Sequence, residues 1–192
     1  MSIKIKSSKF KVQSSKKDPQ PSPRDSRLIF VTGGCRSGKS KYALKLAESM
    51  NGRKLYLATG EPFDEEMAER IKKHKKERGN NWTTIEEPIN VIDAVKKNKR
   101  CDVILLDCLT LWISNLLMKD SRLKKIIVNL ISTCKHSKAN IIIVSNEVGL
   151  GIVPDNELAR KFRDIIGLAN QRIAAASDDV YFVVSGIPLK IK

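Results

Sequence analysis

The stretch that decides the fold is Gly33-Gly34-Cys35-Arg36-Ser37-Gly38-Lys39-Ser40, with the apolar run Leu28-Ile29-Phe30-Val31 just before it. It fits G-x-x-x-x-G-K-[ST] in the required context of strand, loop and helix. Gly33, Gly34 and Gly38 let the backbone turn so that successive N–H groups converge on phosphate oxygens, with Cys35, Arg36 and Ser37 supplying the intervening amides. Lys39 is placed to neutralise β- and γ-phosphates, and the Ser40 hydroxyl to ligand Mg²⁺. The helix expected from Lys39 to about Met50 points its positive end at the same anions. A chance glycine-rich turn would not explain the helical pattern of Tyr42, Ala43, Leu46, Ala47 and Met50 that follows. The sequence therefore predicts binding of a nucleoside triphosphate.

A chain of 192 residues with 41% apolar content suits one domain with a sizeable core. No apolar run approaches the roughly 20 residues that cross a membrane. Of the net charge of +15, residues 1–27 carry +6 (eight Lys or Arg against two Asp), leaving +9. That remainder suits nucleic acid, an anionic surface or polyphosphate substrates. Cys35, Cys101, Cys108 and Cys134 have neither metal-site nor disulfide-framework spacing, so reduced thiols and a cytoplasmic location are expected.

Residues 1–27, rich in Lys, Ser and Pro, read as a disordered basic extension; residues 28–192 read as the folded domain. The extension lacks the apolar core of a secretory signal, and its Lys content is not that of a typical mitochondrial leader; organelle targeting stays as an alternative. Leu55 to Thr59 reads as a second buried strand, broken by Gly60-Glu61-Pro62. Asp64 to Arg78 reads as a helix whose Arg70, His74 and Arg78 share one face. Like charge on both sides disfavours a proton on His74 and leaves a nucleophilic imidazole, although a boundary histidine is often purely structural.

Trp82 to Glu86 is expected as a short strand and Ile89 to Lys97 as an amphipathic helix. Val103 to Asp107 is an apolar strand ending in a carboxylate, the position from which Mg²⁺ is held, directly or through water. Leu109 to Leu117 reads as a helix with Trp112 in the core, and residues 118–140 contain a further Lys-rich helix. Ile141 to Val144 is a strand leading to Ser145-Asn146-Glu147 and a glycine-punctuated loop. The helix from about Asn156 to Ala176 shows an apolar stripe through Leu158, Phe162, Ile165, Ile166, Ala169 and Ile173. Val180 to Val184 is the last clear strand, after which Ser185-Gly186-Ile187-Pro188 turns the chain into a short terminal segment. Alternating strands and helices predict a mostly parallel sheet flanked by helices.

Several blocks occur in one order: the phosphate loop; Asp64 to Ile71 with His74; Ser145-Asn146-Glu147-Val148-Gly149-Leu150-Gly151-Ile152-Val153-Pro154; Phe162-Arg163-Asp164; Asn170-Gln171-Arg172; and Val183 to Pro188. From about Leu28 to Lys192 the chain resembles the bifunctional adenosylcobinamide kinase / adenosylcobinamide-phosphate guanylyltransferase family of cobalamin synthesis. The resemblance implies a RecA-like phosphate-loop fold and a homotrimer. It also implies two reactions, in which ATP or GTP phosphorylates adenosylcobinamide and GTP then gives GMP to that phosphate through a guanylyl-histidine. By position His74 matches the nucleophile, and Arg70 and Arg78 would stabilise charge on the α-phosphate and pyrophosphate. Ala58, Thr59, Gly60, Lys75, Lys76, Glu77, Arg78, Glu86 and Asp107 become candidate guanine-nucleotide contacts. The chain departs from some relatives in carrying Lys73 before His74, where they have a second histidine, and in a region 118–140 that looks shorter.

Three other readings compete. One is a kinase without guanylyl transfer, against which Arg70, His74 and Arg78 count. Another is a RecA-like nucleic-acid-binding ATPase, for which an aromatic content of 5% offers few stacking platforms. The last is a nucleotide-gated interaction module without chemistry. The sequence makes nucleic acid an unlikely partner and names no general base for the kinase step.

Overall fold

A computed structural model describes residues 26–61, 65, 69, 81–117 and 122–192. The expected helix over 64–78, and with it Arg70, His74, Lys75, Lys76, Glu77 and Arg78, lies outside the described residues except for Glu65 and Glu69, which are helical. Residues 1–25 lie outside them too, whereas Ser26 and Arg27 belong to the folded body. The Ser26 hydroxyl donates to the Ser137 carbonyl at 2.7 Å, and Arg27 pairs with the buried Asp179 at 2.6 Å.

The chain runs β1 (Leu28–Gly33), α1 (Lys39–Glu48), β2 (Lys54–Ala58), β3 (Trp82–Glu86), α2 (Val91–Lys97), β4 (Val103–Asp107), α3 (Leu109–Leu117), α4 (Leu123–Lys135), β5 (Asn140–Asn146), α5 (Glu157–Ala176), β6 (Asp179–Val184) and β7 (Ile187–Lys190). One seven-stranded sheet has the order β3-β2-β4-β5-β1-β6-β7. All neighbouring pairs are parallel except β6–β7.

Handedness explains the layers. Going from β1 to β2 the chain moves one way along the sheet, while the passages β3 to β4, β4 to β5 and β5 to β6 move the other way. Right-handed crossovers then put α1 on one face and α2, α3, α4 and α5 on the other. The strand residues divide accordingly. Ile29, Val31, Leu105, Ile142 and Val144 pack with Ala43 and Ala47 of α1. Leu28, Phe30, Leu55, Leu57, Ile104, Leu106, Ile141 and Ile143 pack with Trp112, Ile113, Leu130, Ile166 and Ile173. Because β1, β4 and β5 are covered on both faces, they read as continuous apolar runs rather than alternating ones.

Two expectations are corrected. The terminal segment is a strand, β7, added antiparallel at the sheet edge, where Val184 pairs with Ile187 and Tyr181 with Lys190. All four of its residues are exposed, so it carries no burial pattern, and Pro188 is compatible with an edge position. The buried stripe of α5 does not begin at Leu158, which is 52% exposed; the helix packs from Phe162 onward. Its N-terminus is held by Asn156, whose side-chain oxygen accepts from Ala159 N–H at 3.0 Å.

All four cysteines are free. Burial pushes the Cys134 thiol up to about 12 from its ordinary 9.0, and the Cys108 thiol to the same value, with the Asp107 carboxylate adding to the rise there. A buried neutral thiol stabilises the fold fully below pH 9, where the unfolded thiol is also protonated. That contribution is lost as pH rises from about 9 towards about 12. Chemical denaturation across this window should show stability falling with pH, and Cys134→Ala should flatten the fall while lowering stability at pH 7 by about 1–2 kcal/mol. An unchanged slope in the variant would show that Cys134 does not contribute.

Candidate functional site

The carboxyl ends of β1, β5, β4 and β2 lie side by side, and open α/β sheets bind ligands beyond such ends. At the end of β1, Gly33 passes so close to β6 that a Cβ would collide with the Val183 carbonyl oxygen, and it would stand 2.7 Å from Ser37 Oγ. The loop then closes on itself, with Ser37 N–H donating to the Gly34 carbonyl at 3.2 Å. Cys35 and Arg36 face solvent, and Arg36 has φ 53°, an uncommon conformation for a residue with a Cβ.

Gly38, at φ 90°, is the N-cap of α1 and supplies no side-chain cap; no acidic residue stands in the first turn. The first N–H groups of the helix are thus left for an external anion. Lys39 is buried, and its ammonium donates to the Gly34 carbonyl at 3.0 Å, lying across the loop it would complete with phosphate. Ser40 is partly buried one residue further.

Strand β5 is inserted between β1 and β4, so Ser145, Asn146 and Glu147 stand between the loop and Asp107. Glu147 N–H donates to the Gly33 carbonyl at 2.9 Å, and a Glu147 carboxylate oxygen accepts from Gly149 N–H, which holds the start of the following loop. Beneath them, Thr110 and Ser145 share a hydroxyl–hydroxyl bond of 3.1 Å, and Ser145 donates to Asn170 Oδ1 at 2.7 Å. Asn146 N–H donates to Thr110 Oγ1 at 2.7 Å, and Asn170 Nδ2 donates to the Asn146 carbonyl at 3.1 Å. This buried network locks α3, β5 and α5 together under the crevice.

Asp107 accepts from the Tyr56 hydroxyl at 2.8 Å. Ala58, at the end of β2, is in register with Asp107 on one side and Glu86 on the other. Glu86 is exposed, and Gly60 is partly buried. Thr59 is wholly buried; its hydroxyl donates to the Cys108 carbonyl at 2.7 Å and accepts from Cys108 N–H at 2.9 Å. Its carbonyl accepts from Asn115 Nδ2 at 2.9 Å. Thr59 therefore ties the end of β2 to the end of β4, with both hydrogen-bonding capacities of its hydroxyl used inside the protein. Sequence reasoning gave no role to Tyr56, Thr110 or Asn115. Their only signal is polar chemistry within or beside apolar elements.

The oxygen donors Ser40 and Asp107 are of the type Mg²⁺ takes, hard and few, with room in the coordination shell left to water and phosphate. Among the described residues there is no cluster of three or more His, Cys, Asp or Glu side chains that could form a protein-only metal cage.

The family described as "Cobinamide kinase / cobinamide phosphate guanyltransferase" matches residues 29–191. This chain belongs to that family. Relatives include "Bifunctional adenosylcobalamin biosynthesis protein CobU" of Salmonella typhimurium, 42% identical over 86% of this chain and 99% of that one, and the same-named protein of Escherichia coli, 39% identical over the same shares. "Bifunctional adenosylcobalamin biosynthesis protein CobP" of Pseudomonas aeruginosa is 40% identical over 85% of this chain and 96% of that one. Among solved structures, the flagellar accessory protein FlaH of Methanocaldococcus jannaschii superposes with a TM-score of 0.55, covering 86% of this chain and 78% of that one at 18% identity. That likeness concerns the fold alone, and it agrees with a mostly parallel sheet flanked by helices.

Four of the family-matching segments come together at the carboxyl ends of β5, β1 and β6: the loop 33–40, the segment 145–149, Asn170 and the turn at Ser185-Gly186. The tie at Thr59 should be sensitive to chemistry rather than size. Thr59→Val should cost about 1–3 kcal/mol in thermal or denaturant unfolding, because the Cys108 backbone groups lose their partner, while Thr59→Ser should retain most of the stability. Equal effects of the two would contradict this role of the hydroxyl.

Proposed function

We propose that the chain phosphorylates the hydroxyl of the aminopropanol arm of adenosylcobinamide with ATP or GTP. It then transfers GMP from GTP to adenosylcobinamide phosphate, giving adenosylcobinamide-GDP and pyrophosphate. The observation that carries this reading is the family match over residues 29–191, together with relatives at 39–42% identity over nearly their whole length. The uncapped N-terminus of α1 and the buried Lys39 beside it support a polyphosphate site at the loop.

In the kinase step, the loop amides and Lys39 would bind the β- and γ-phosphates and hold the γ-phosphoryl group in line with the acceptor hydroxyl. Ser40 and Asp107 would hold Mg²⁺, which supplies charge neutralisation across the phosphates when bound. The Tyr56 hydroxyl would keep the Asp107 carboxylate oriented towards the crevice. Rate enhancement would come from positioning and electrostatics.

In the transfer step, an unprotonated His74 nitrogen attacks the α-phosphorus of GTP. A P–N bond forms, the bond to the bridging oxygen breaks, and pyrophosphate leaves with the electron pair. A phosphate oxygen of adenosylcobinamide phosphate then attacks the same phosphorus and restores the free imidazole. Arg70 and Arg78 would stabilise the charge that develops on the α-phosphate and the leaving group, and both disfavour protonation of the histidine. Ala58, Gly60, Lys75, Lys76, Glu77 and Glu86 are the proposed further nucleotide contacts; a carboxylate among them can accept from guanine N1–H and N2–H₂. For Thr59 the contact would come through its position in the chain, since its hydroxyl is engaged with Cys108.

We also propose a homotrimer in the cytoplasm. Free cysteines agree with a reducing compartment. Leu150, Ile152 and Val153, exposed by 81, 97 and 58% on the loop after β5, agree with a surface covered by a neighbouring subunit. Among the described residues no helix is long and apolar enough to cross a membrane.

The test is incubation of the pure protein with Mg²⁺ and GTP labelled at the α-phosphate. Acid-labile, alkali-stable label should form on the wild type and be absent from His74→Ala. Absence from the wild type would remove the guanylyltransferase half of the reading and leave a kinase or a nucleotide-binding module.

A further inference from the structure

We propose that the two-residue turn joining β6 and β7, Ser185-Gly186, is a positioning element of the phosphate loop, setting its shape from outside. The inference rests on the reading of residues 33–40 as a nucleotide cradle. It adds to that cradle a segment about 150 residues away in sequence.

Three observations carry it. Gly186 N–H donates to the Ser37 carbonyl at 2.8 Å, a direct backbone bond from the turn into the middle of the loop. A Cβ built at Gly38 would lie 3.3 Å from the Gly186 Cα, so the two loops pack backbone against backbone at the point where α1 begins. The turn is also held in a costly conformation: Ser185 has φ 50° and Gly186 φ 83°, the mirror-image turn that suits the twist of a two-residue hairpin. Serine is not among the residues that favour this geometry, and on the facing loop Arg36 is likewise at φ 53°. Each of these two non-glycine residues in the left-handed region is the chain neighbour of one partner in the Gly186–Ser37 hydrogen bond. Such outliers persist only where their surroundings over-determine them.

The hairpin is anchored away from the site. Lys190 of β7 pairs with the buried Asp179 at 2.8 Å, and Ile191 N–H donates to the Val180 carbonyl at 2.9 Å. The β6–β7 hairpin therefore touches the phosphate loop at two points. Val183 of β6 closes on Gly33, and the turn just after β6 holds Ser37. Once Ser37 O is tied, the amides of residues 35–38 have less freedom, so ordering that phosphate would otherwise have to impose is already in place. A consequence is reciprocal: a bound nucleotide must protect the turn as much as the turn favours the nucleotide.

A Cβ at Gly186 would meet nothing within 4 Å. Gly186→Ala therefore acts through backbone conformation alone, and Gly186→Asn, which tolerates φ > 0 better, should act less. Lys190→Ala loosens the far end of the hairpin without touching the turn and serves as the structural control. GTP affinity would be measured by calorimetry with Mg²⁺ present, alongside Tm with and without GTP and amide exchange at Gly186. We expect Gly186→Ala to weaken GTP about five- to tenfold and to shrink the GTP-induced rise in Tm, with Gly186→Asn in between. Lys190→Ala should lower Tm with affinity within twofold of wild type, and GTP should slow exchange of the Gly186 amide in the wild type. The proposal is overturned if Gly186→Ala binds GTP as the wild type does, if Lys190→Ala weakens GTP equally, or if Gly186 exchange ignores GTP. Should Gly186→Ala fail to fold, Gly186→Asn and the wild-type exchange decide on the same criteria. A wild type that binds no GTP would instead refute the reading of the cradle itself, and this inference with it.

Discussion

The structure depends on how β1 ends. At Gly33 three strands finish together: β5 contributes the Glu147 N–H to the Gly33 carbonyl, and β6 brings its Val183 carbonyl to where a side chain would otherwise stand. A larger residue would force β1 and β6 apart, and the loop that follows would leave the sheet in another direction. A residue without a side chain at this junction allows a fully buried parallel strand to turn at once into a backbone cradle. The rest of the site is arranged around that exit point.

Burial on both faces is the second constraint. Strands β1, β4 and β5 give up almost all exposure, so polar side chains can enter only at their carboxyl ends or where each finds a partner. Thr59, Thr110, Ser145 and Asn170 follow that rule: each is hydrogen-bonded, and each bond joins two different elements. The network ties α3, β5 and α5 together as a rigid floor to the crevice. A rigid floor is what in-line transfer between phosphates requires, because small displacements of the reacting groups cost large factors in rate.

Much of this was legible in the sequence, for a physical reason. Long apolar runs between a phosphate loop and helical patterns leave few solutions other than a parallel sheet, and Asp107 was recognisable as the polar end of one such run. The terminal strand was not, because β7 buries nothing and its Pro188 suggests a turn; only pairing with β6 makes it a strand. Leu158 obeys the period of the apolar stripe of α5, yet it is exposed, and the helix packs against the core only from Phe162 onward. Thr59 entered as a candidate nucleotide contact through the family resemblance. Its two bonds to Cys108 could not be foreseen, since they join residues 49 positions apart. The proposed nucleophile His74 is the reverse case, conspicuous in the sequence through Arg70 and Arg78 and outside the described residues.

The same contrast separates the two halves of the proposed chemistry. The phosphate-loop half rests on backbone geometry, which a sheet junction supplies and which the turn at Gly186 can brace from a neighbouring strand. The guanylyl-transfer half rests on the protonation state of one imidazole, which depends on the charges around it rather than on the fold. The two demands do not compete. Backbone amides bind phosphate whatever the state of the proposed nucleophile, which neighbouring arginines would help to keep unprotonated. A family that performs two phosphoryl chemistries on one small domain would need this division between a fixed cradle and a titratable nucleophile.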